Sequence, residues 1–187
     1  EKTIFKNKKI DREIGPSPGI FNLPKENEFR SVFFDKKSII LLNVGEKEKW
    51  NQRKFILNLR RIVRYLKENN FSRATILLEN IVPEGADLNN LSRQISENIL
   101  LADYEFTRYK KEPNEGWPKI KLIEVIWPNA KKYQKDSVQG EIIGRAVNST
   151  RDLSNTPGGD MTPQELADAA TAIARRNRNL SAEIFDE

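Results

Sequence analysis

The chain has 187 residues (21.6 kDa), of which 37% are hydrophobic and 32% charged, with three Trp, four Tyr and nine Phe. That is enough for one good core and a fragment of a second, and the aromatic content argues against disorder. There is no Cys and no His, which excludes disulfides, thiolate or imidazole metal ligands, Cys nucleophiles and every Ser-His or Cys-His pair. The net charge is +5, unevenly spread: residues 1–70 carry 17 basic and 9 acidic groups, 71–136 carry 10 and 10, and 137–187 carry 5 and 8. This shift suggests a boundary near residue 137, and the basic first third suits an anionic partner or a solvated face. No apolar run approaches the ~20 residues of a membrane-spanning helix. The first residue is Glu1, not Met, as expected if the sequence is a piece of a longer chain.

In chain order, Thr3-Ile4-Phe5 suggests a short strand, and the proline- and glycine-rich stretch 15–28 a loop. Val32-Phe33-Phe34 and the run from Ser38 to Val44 predict two strands joined by a hairpin turn at Asp35-Lys36-Lys37. The second run is continuously apolar, the pattern of a strand buried on both faces. Residues 47–69 show helical period, with Phe55, Leu59, Ile62, Val63 and Leu66 on one face and Arg53, Arg60, Arg64 and Lys67 on another. A strand at Ala74–Leu78 follows. Strand, helix, strand predicts a βαβ unit, hence a parallel pair with a crossover.

Asp87 is placed to cap a second helix with Leu88, Leu91, Ile95, Ile99 and Ala102 inward. Ile120–Trp127 is a further strand. A third helix runs from Ser137 to about Ser154, with Ile142, Ala146, Thr150 and Leu153 as its apolar recurrence. Gly140 and Gly144, four residues apart in that helix, suggest close approach of a neighbouring backbone or a surface that tolerates them. Pro157, Gly158 and Gly159 break it. Thr162-Pro163-Gln164-Glu165 restarts a helix, with Thr162 as N-cap and Glu165 completing a capping box. Leu166 and Ile173 are the large residues of its Ala-rich apolar face, so the segment from about 156 onward is expected to pack weakly here. Ala182–Phe185 reads as a further strand.

Among chemical constellations, no Gly-rich phosphate cradle and no Walker motif is present. Asp152, Asp160, Glu165 and Asp168 are the one carboxylate group worth weighing as a metal site, but capping and solvent-facing spacing account for them better. The cations Arg53, Lys54, Arg60, Arg61, Arg64 and Lys67 could contact nucleic acid or another polyanion through phosphates, with no recognised nucleic-acid motif beside them.

The stretch from Ala146 to Ala167 resembles the leucyl aminopeptidase (cytosol aminopeptidase) family. Asn148, Thr150, Arg151, Asp152, Asn155, Pro157, Thr162 and Pro163 match that family's Asn-x-Thr-Arg-Asp-Leu-x-Asn-x-Pro segment and the Thr-Pro-x-x-Leu-Ala that follows it. Tyr104, Phe106, Tyr109 and Lys110 look like its Tyr-x-Phe-x-x-Tyr-Lys segment, and Val44-Gly45-Glu46-Lys47 like its Val-Gly-Leu-Gly-Lys, minus one Gly. The resemblance implies an α/β fold: a small macro-like N-terminal domain with βαβ units (1–136), a linker helix (137–156) and the truncated start of a second α/β domain, that of the peptidase (157–187). It implies metallopeptidases that remove N-terminal residues from peptides, cytoplasmic, hexameric homo-oligomers, using two divalent metals (zinc or manganese). The family's metal-binding motifs, of the type Lys-Gly-x-Thr-x-Asp-(Ser/Thr)-Gly-Gly and Asn-Thr-Asp-Ala-Glu-Gly-Arg, are not in this sequence. No catalytic, cofactor or metal residue is therefore assigned. The chain is expected to be an assembly and access domain, inactive alone, with the polyanion-binding module as the alternative. A nucleotide pocket of the macro type has no Gly-rich loop behind it.

Overall fold

The computed structural model describes residues 24–34, 37–46, 49–78, 81–127 and 129–185. The strand expected at Thr3–Phe5 and most of the 15–28 loop lie outside them.

Strands β1 (Phe29–Phe34) and β2 (Lys37–Leu42) form an antiparallel hairpin with Phe29 opposite Leu42 and Phe34 opposite Lys37. Helix α1 (Gln52–Glu68) begins where the Asn51 side chain accepts from the Lys54 amide at 3.0 Å. It ends on Asn70 at φ 58°, which lets the Phe71 amide reach back to the Leu66 carbonyl at 2.9 Å. Strand β3 (Arg73–Leu77) is followed by α2 (Leu88–Asp103) and β4 (Leu122–Ile126). As expected, Asp87 caps α2, accepting from the Asn89 amide at 3.0 Å.

Strands β3 and β4 pair in parallel, Arg73 opposite Leu122 and Leu77 opposite Ile126, with α2 as the crossover. The βαβ unit is thus real but lies one element later than the sequence reading put it. Strand β2 was expected to pair with β3 across α1, yet among the described residues it pairs with β1 in a separate sheet. The apolar run of β2 also does not mean burial on both faces: Ile39, Ile40, Leu41 and Leu42 are each half-buried. Among the described residues this sheet has two strands, too few to cover both faces.

The core is where α1, α2, β3 and the end of β4 meet. Phe55, Leu59, Leu78 and Leu91 are at most 2% exposed, and Trp127 stacks on Tyr133 with ring centroids 5.2 Å apart. Tyr133 closes a 3-10 turn (Ala130–Tyr133) that leads directly into α3 (Gln134–Asn155).

Helix α3 lies along α2 on small residues. Ser96 and Ser137 share a hydroxyl hydrogen bond of 2.6 Å. A Cβ added at Gly140 would sit 2.0 Å from the Arg93 carbonyl oxygen, so the backbone approach suggested by the glycine pair exists. The same contact turns the apolar recurrence outward: Ile142 is 62% exposed, Ala146 and Thr150 are exposed, and Leu153 is half-buried. Helices packed on glycine leave no room for a side-chain layer on that face.

Helix α4 (Pro163–Arg175) starts as expected at Thr162, whose hydroxyl accepts from the Glu165 amide at 3.2 Å. None of its residues is buried; Leu166 and Ile173 are both 52% exposed. Ala182–Phe185 is not a strand, since no described strand lies beside it to complete a ladder. Removing the cap by Thr162→Ala should cost about 1 kcal/mol within α4 alone. Amide exchange across 163–175 reads it, with faster exchange expected in the variant. Equal rates would mean that Thr162 does not hold the helix start.

Candidate functional site at the end of the second helix

The last carbonyls of a helix have no partner inside it, and a cation there is favoured by the helix dipole. Helix α2 carries no basic residue in its last turn. Its terminal carbonyls are served from two other helices instead. From α1, Lys67 Nζ donates to the Asp103 carbonyl at 2.5 Å and stands 3.6 Å from the Asp103 carboxylate and 3.5 Å from that of Glu105. From α3, Asn148 Nδ2 donates to the Leu100 carbonyl at 3.0 Å and Arg151 to the Leu101 carbonyl at 3.2 Å.

The residue that ends α2, Tyr104, is gripped in turn. The Arg151 guanidinium lies over its ring, 4.3 Å from the centroid. The Tyr104 hydroxyl donates to Asp152 at 2.9 Å and accepts from Asn155 Nδ2 at 3.0 Å. Partial burial, then the Asp152 bond, raise the phenol above its ordinary value against the opposing pull of Asn155 and Arg151. It therefore stays protonated, and a donor, at neutral pH. Five residues on, Tyr109 donates to the Asp160 carboxylate, a bond that heads the causes raising its own phenol. Between these two clamps the chain leaves α3. Thr156 is buried there, its hydroxyl donating to the Asp152 carbonyl at 2.8 Å.

The two segments singled out in the sequence are therefore one structure, with Asn148, Arg151, Asp152 and Asn155 on one side and Tyr104 and Tyr109 on the other. Thr150 bonds its own helix, at the Ala146 carbonyl 3.1 Å away, while Thr162 and Pro163 open α4. Lys67, Thr156 and Asp160 belong to the same junction although the sequence motifs do not point to them. Their partners lie 36, 4 and 51 residues away, and only the nearest of these is a spacing that local pattern can suggest.

The basic row on α1 is divided. Lys67 is taken up by the end of α2. Arg60 Nε holds Asn98 Oδ1 at 2.6 Å, and Arg61 holds Asn27 Oδ1 at 2.5 Å. Arg53 and Arg64 are exposed and Lys54 is half-buried.

The carboxylates do not make a metal site. Asp152 and Asp160 accept from tyrosines and Asp168 accepts from Gln164 at 2.8 Å. Among the described residues no three His, Cys, Asp or Glu side chains converge on a point that could hold an ion, so the pair of metals implied by the resemblance does not fit these side chains. No described helix is long and apolar enough to cross a membrane.

Residues 27–113 match the model of the cytosol aminopeptidase family, N-terminal domain. Over that stretch the chain is similar to the N-terminal domain of this family. A probable cytosol aminopeptidase of Pseudomonas fluorescens is 27% identical over 151 residues, 80% of this chain and 30% of that protein. Among solved structures, the bottromycin maturation enzyme BotP superimposes with a TM-score of 0.68 at 18% identity, over 92% of this chain and 35% of that one. A tomato leucine aminopeptidase variant gives 0.66 at 16%, over 81% and 30%. At such identities the structures establish the α/β fold that this chain shares with the family. The chain spans about a third of the length of the family members it matches.

Proposed function

We propose that this chain is the N-terminal, non-catalytic portion of a cytoplasmic metalloaminopeptidase, and that it sets how a following peptidase domain is carried and reached. The domain is residues 1–136, the linker 137–156 and the opening of the second domain 157–187. The observation behind this reading is the junction. The linker helix is tied to the end of α2 by Asn148 and Arg151, and the exit from it is tied by Thr156 and Asp160. A chain bound at both ends of its exit leaves in one direction, which is what a domain that positions another requires. Two divalent metals, zinc or manganese, would be held by carboxylates outside this chain and would activate water there. The hexamer and the peptide substrate belong to that larger protein. For the polyanion alternative, Lys67, Arg60 and Arg61 are taken up by Asp103, Asn98 and Asn27 and Lys54 lies in the field of Glu46, which leaves Arg53 and Arg64 as the exposed cations of the row.

Leucyl-p-nitroanilide hydrolysis tests the reading. This chain should give no turnover with or without added zinc or manganese. Joined to the remaining two thirds of the Pseudomonas fluorescens relative, in place of that protein's own N-terminal part, it should give turnover. Activity of the purified chain alone would sink the non-catalytic assignment. A folded chimera without activity would sink the carrying role.

A further inference from the structure

We propose that the Tyr109–Asp160 hydrogen bond is a latch. Closed, it holds α4 at one angle to α3; broken, it lets the arm beyond Thr156 swing. The inference rests on the geometry of the junction and not on the aminopeptidase reading, and its failure would leave the non-catalytic assignment standing.

The exit from α3 divides at Thr156. Up to that residue the chain is held several times over. Asn148 and Arg151 bond carbonyls of α2, Asp152 and Asn155 hold the Tyr104 hydroxyl, and Thr156 is itself buried. Beyond it no residue from 157 to 185 is buried. A Cβ added at Gly158 or Gly159 would meet nothing within 4 Å, so the turn between α3 and α4 is not packed against anything either. Burial therefore does not set the direction of α4, and a segment with so few buried contacts belongs to the part of a fold that opens most easily.

One polar contact spans the gap. The Asp160 and Met161 amides donate to the Pro157 carbonyl at 2.9 and 2.8 Å, and this turn carries the Asp160 carboxylate to the Tyr109 hydroxyl. Among the described residues no other side-chain hydrogen bond or ion pair joins 157–185 to the chain before it; Gln164, Glu165 and Thr171 bond within their own segment. The neighbouring cations are engaged elsewhere. Arg108 lies over the Tyr109 ring, 5.6 Å from its centroid, and Lys110 pairs with Glu105 at 3.3 Å and stands over the Trp117 ring.

The bond is charge-assisted but lies at the surface, with Tyr109 49% exposed and Asp160 exposed. Water competes for both partners, so the latch opens and closes reversibly. Helix α4 has 13 residues, a lever of about 20 Å, so a small change of angle at the turn is magnified at Arg175.

Because the chain has no Cys, Gln139→Cys on α3 and Ala172→Cys on α4, both at exposed positions, place two nitroxide labels and no others. Double electron–electron resonance then reads the distribution of α3–α4 distances in the whole chain. We expect one narrow peak in the doubly labelled parent. Tyr109→Phe and Asp160→Ala, surface changes that leave the fold intact, should each lose it to a broad distribution. Tyr104→Phe, which breaks the inner clamp alone, should keep the narrow peak. A parent already broad, a narrow peak surviving in either latch variant, or equal broadening by Tyr104→Phe would overturn the proposal.

Discussion

Gly140→Ala should destabilise the chain by about 1–3 kcal/mol, although the change favours an isolated helix by about 1 kcal/mol. The new methyl would sit 2.0 Å from the Arg93 carbonyl oxygen, 2.8 Å from its carbon and 3.1 Å from the Arg93 Cα. These are backbone atoms of a helix and cannot rotate aside, so α3 must lift off α2 and loosen the Ser96–Ser137 bond beside it. Two other glycines calibrate the effect. At Gly144 the contacts are longer, Leu100 Cβ at 3.0 Å and the Glu97 carbonyl oxygen at 3.2 Å, so a shift of a few tenths of an ångström relieves them and the loss should be smaller. At Gly158 nothing lies within 4 Å, and Ala should be neutral. Urea unfolding of the three variants should rank them in that order. A Gly140→Ala variant as stable as the parent would mean that the helices do not approach this closely in solution.

Lys67→Met should cost about 2 kcal/mol, the scale of hydrogen bonds to charged groups, whereas Arg53→Met and Arg64→Met should fall within about 0.5 kcal/mol, as surface changes do. The Lys67 side chain is 17% exposed and its ammonium serves one carbonyl and two carboxylates. Without it the Asp103 Oδ1 atom, buried and already lacking a hydrogen bond, keeps its charge in a poorly solvated place with no cation beside it. The two carboxylate groups are each more than a third exposed, so solvent screens part of this, and the backbone bond is the larger share. Thermal melts of the three variants decide it: equal midpoints for Lys67→Met and Arg53→Met would show that the α2 terminus does not depend on Lys67.

That contrast also shows what a sequence can disclose. Arg53, Arg60, Arg64 and Lys67 are indistinguishable by period, because the difference among them is made by Asn98 and Asp103, 38 and 36 residues further on. Caps are legible because both partners lie within one turn, as at Asp87 and Thr162. The glycine spacing in α3 is as compatible with a tolerant surface as with a close approach, and the Arg93 carbonyl against Gly140 decides between them; the spacing does not foretell that Ile142 would be left outside. In the sheet, an apolar run such as Ile39–Leu42 discloses an affinity for cover and not the identity of the neighbour. A hairpin with β1, where partners are adjacent in sequence, costs less loop-closure entropy than a crossover to β3. The family resemblance marked Tyr104 and Arg151 as belonging to segments of one family; that they stack on each other is a fact of three dimensions alone.

The distance along the chain between the end of α2 and its seal sets an order of events during synthesis. Leu101 and Arg151 are 50 residues apart. At about 5–20 residues per second, roughly 3–10 s separate the making of one from the making of the other. Over that interval Lys67, already made, and Lys110, which follows within ten residues and pairs with Glu105, are the cations at the terminus, and the Leu100 and Leu101 carbonyls lack Asn148 and Arg151. The last turn of α2 is then a frayed end, and Tyr104 has neither Asp152 nor Asn155 to hold it. Emergence of α3 turns this loose end into the fixed one. The last turn of α2 thus reaches its final form only when residues 148–155 have been made.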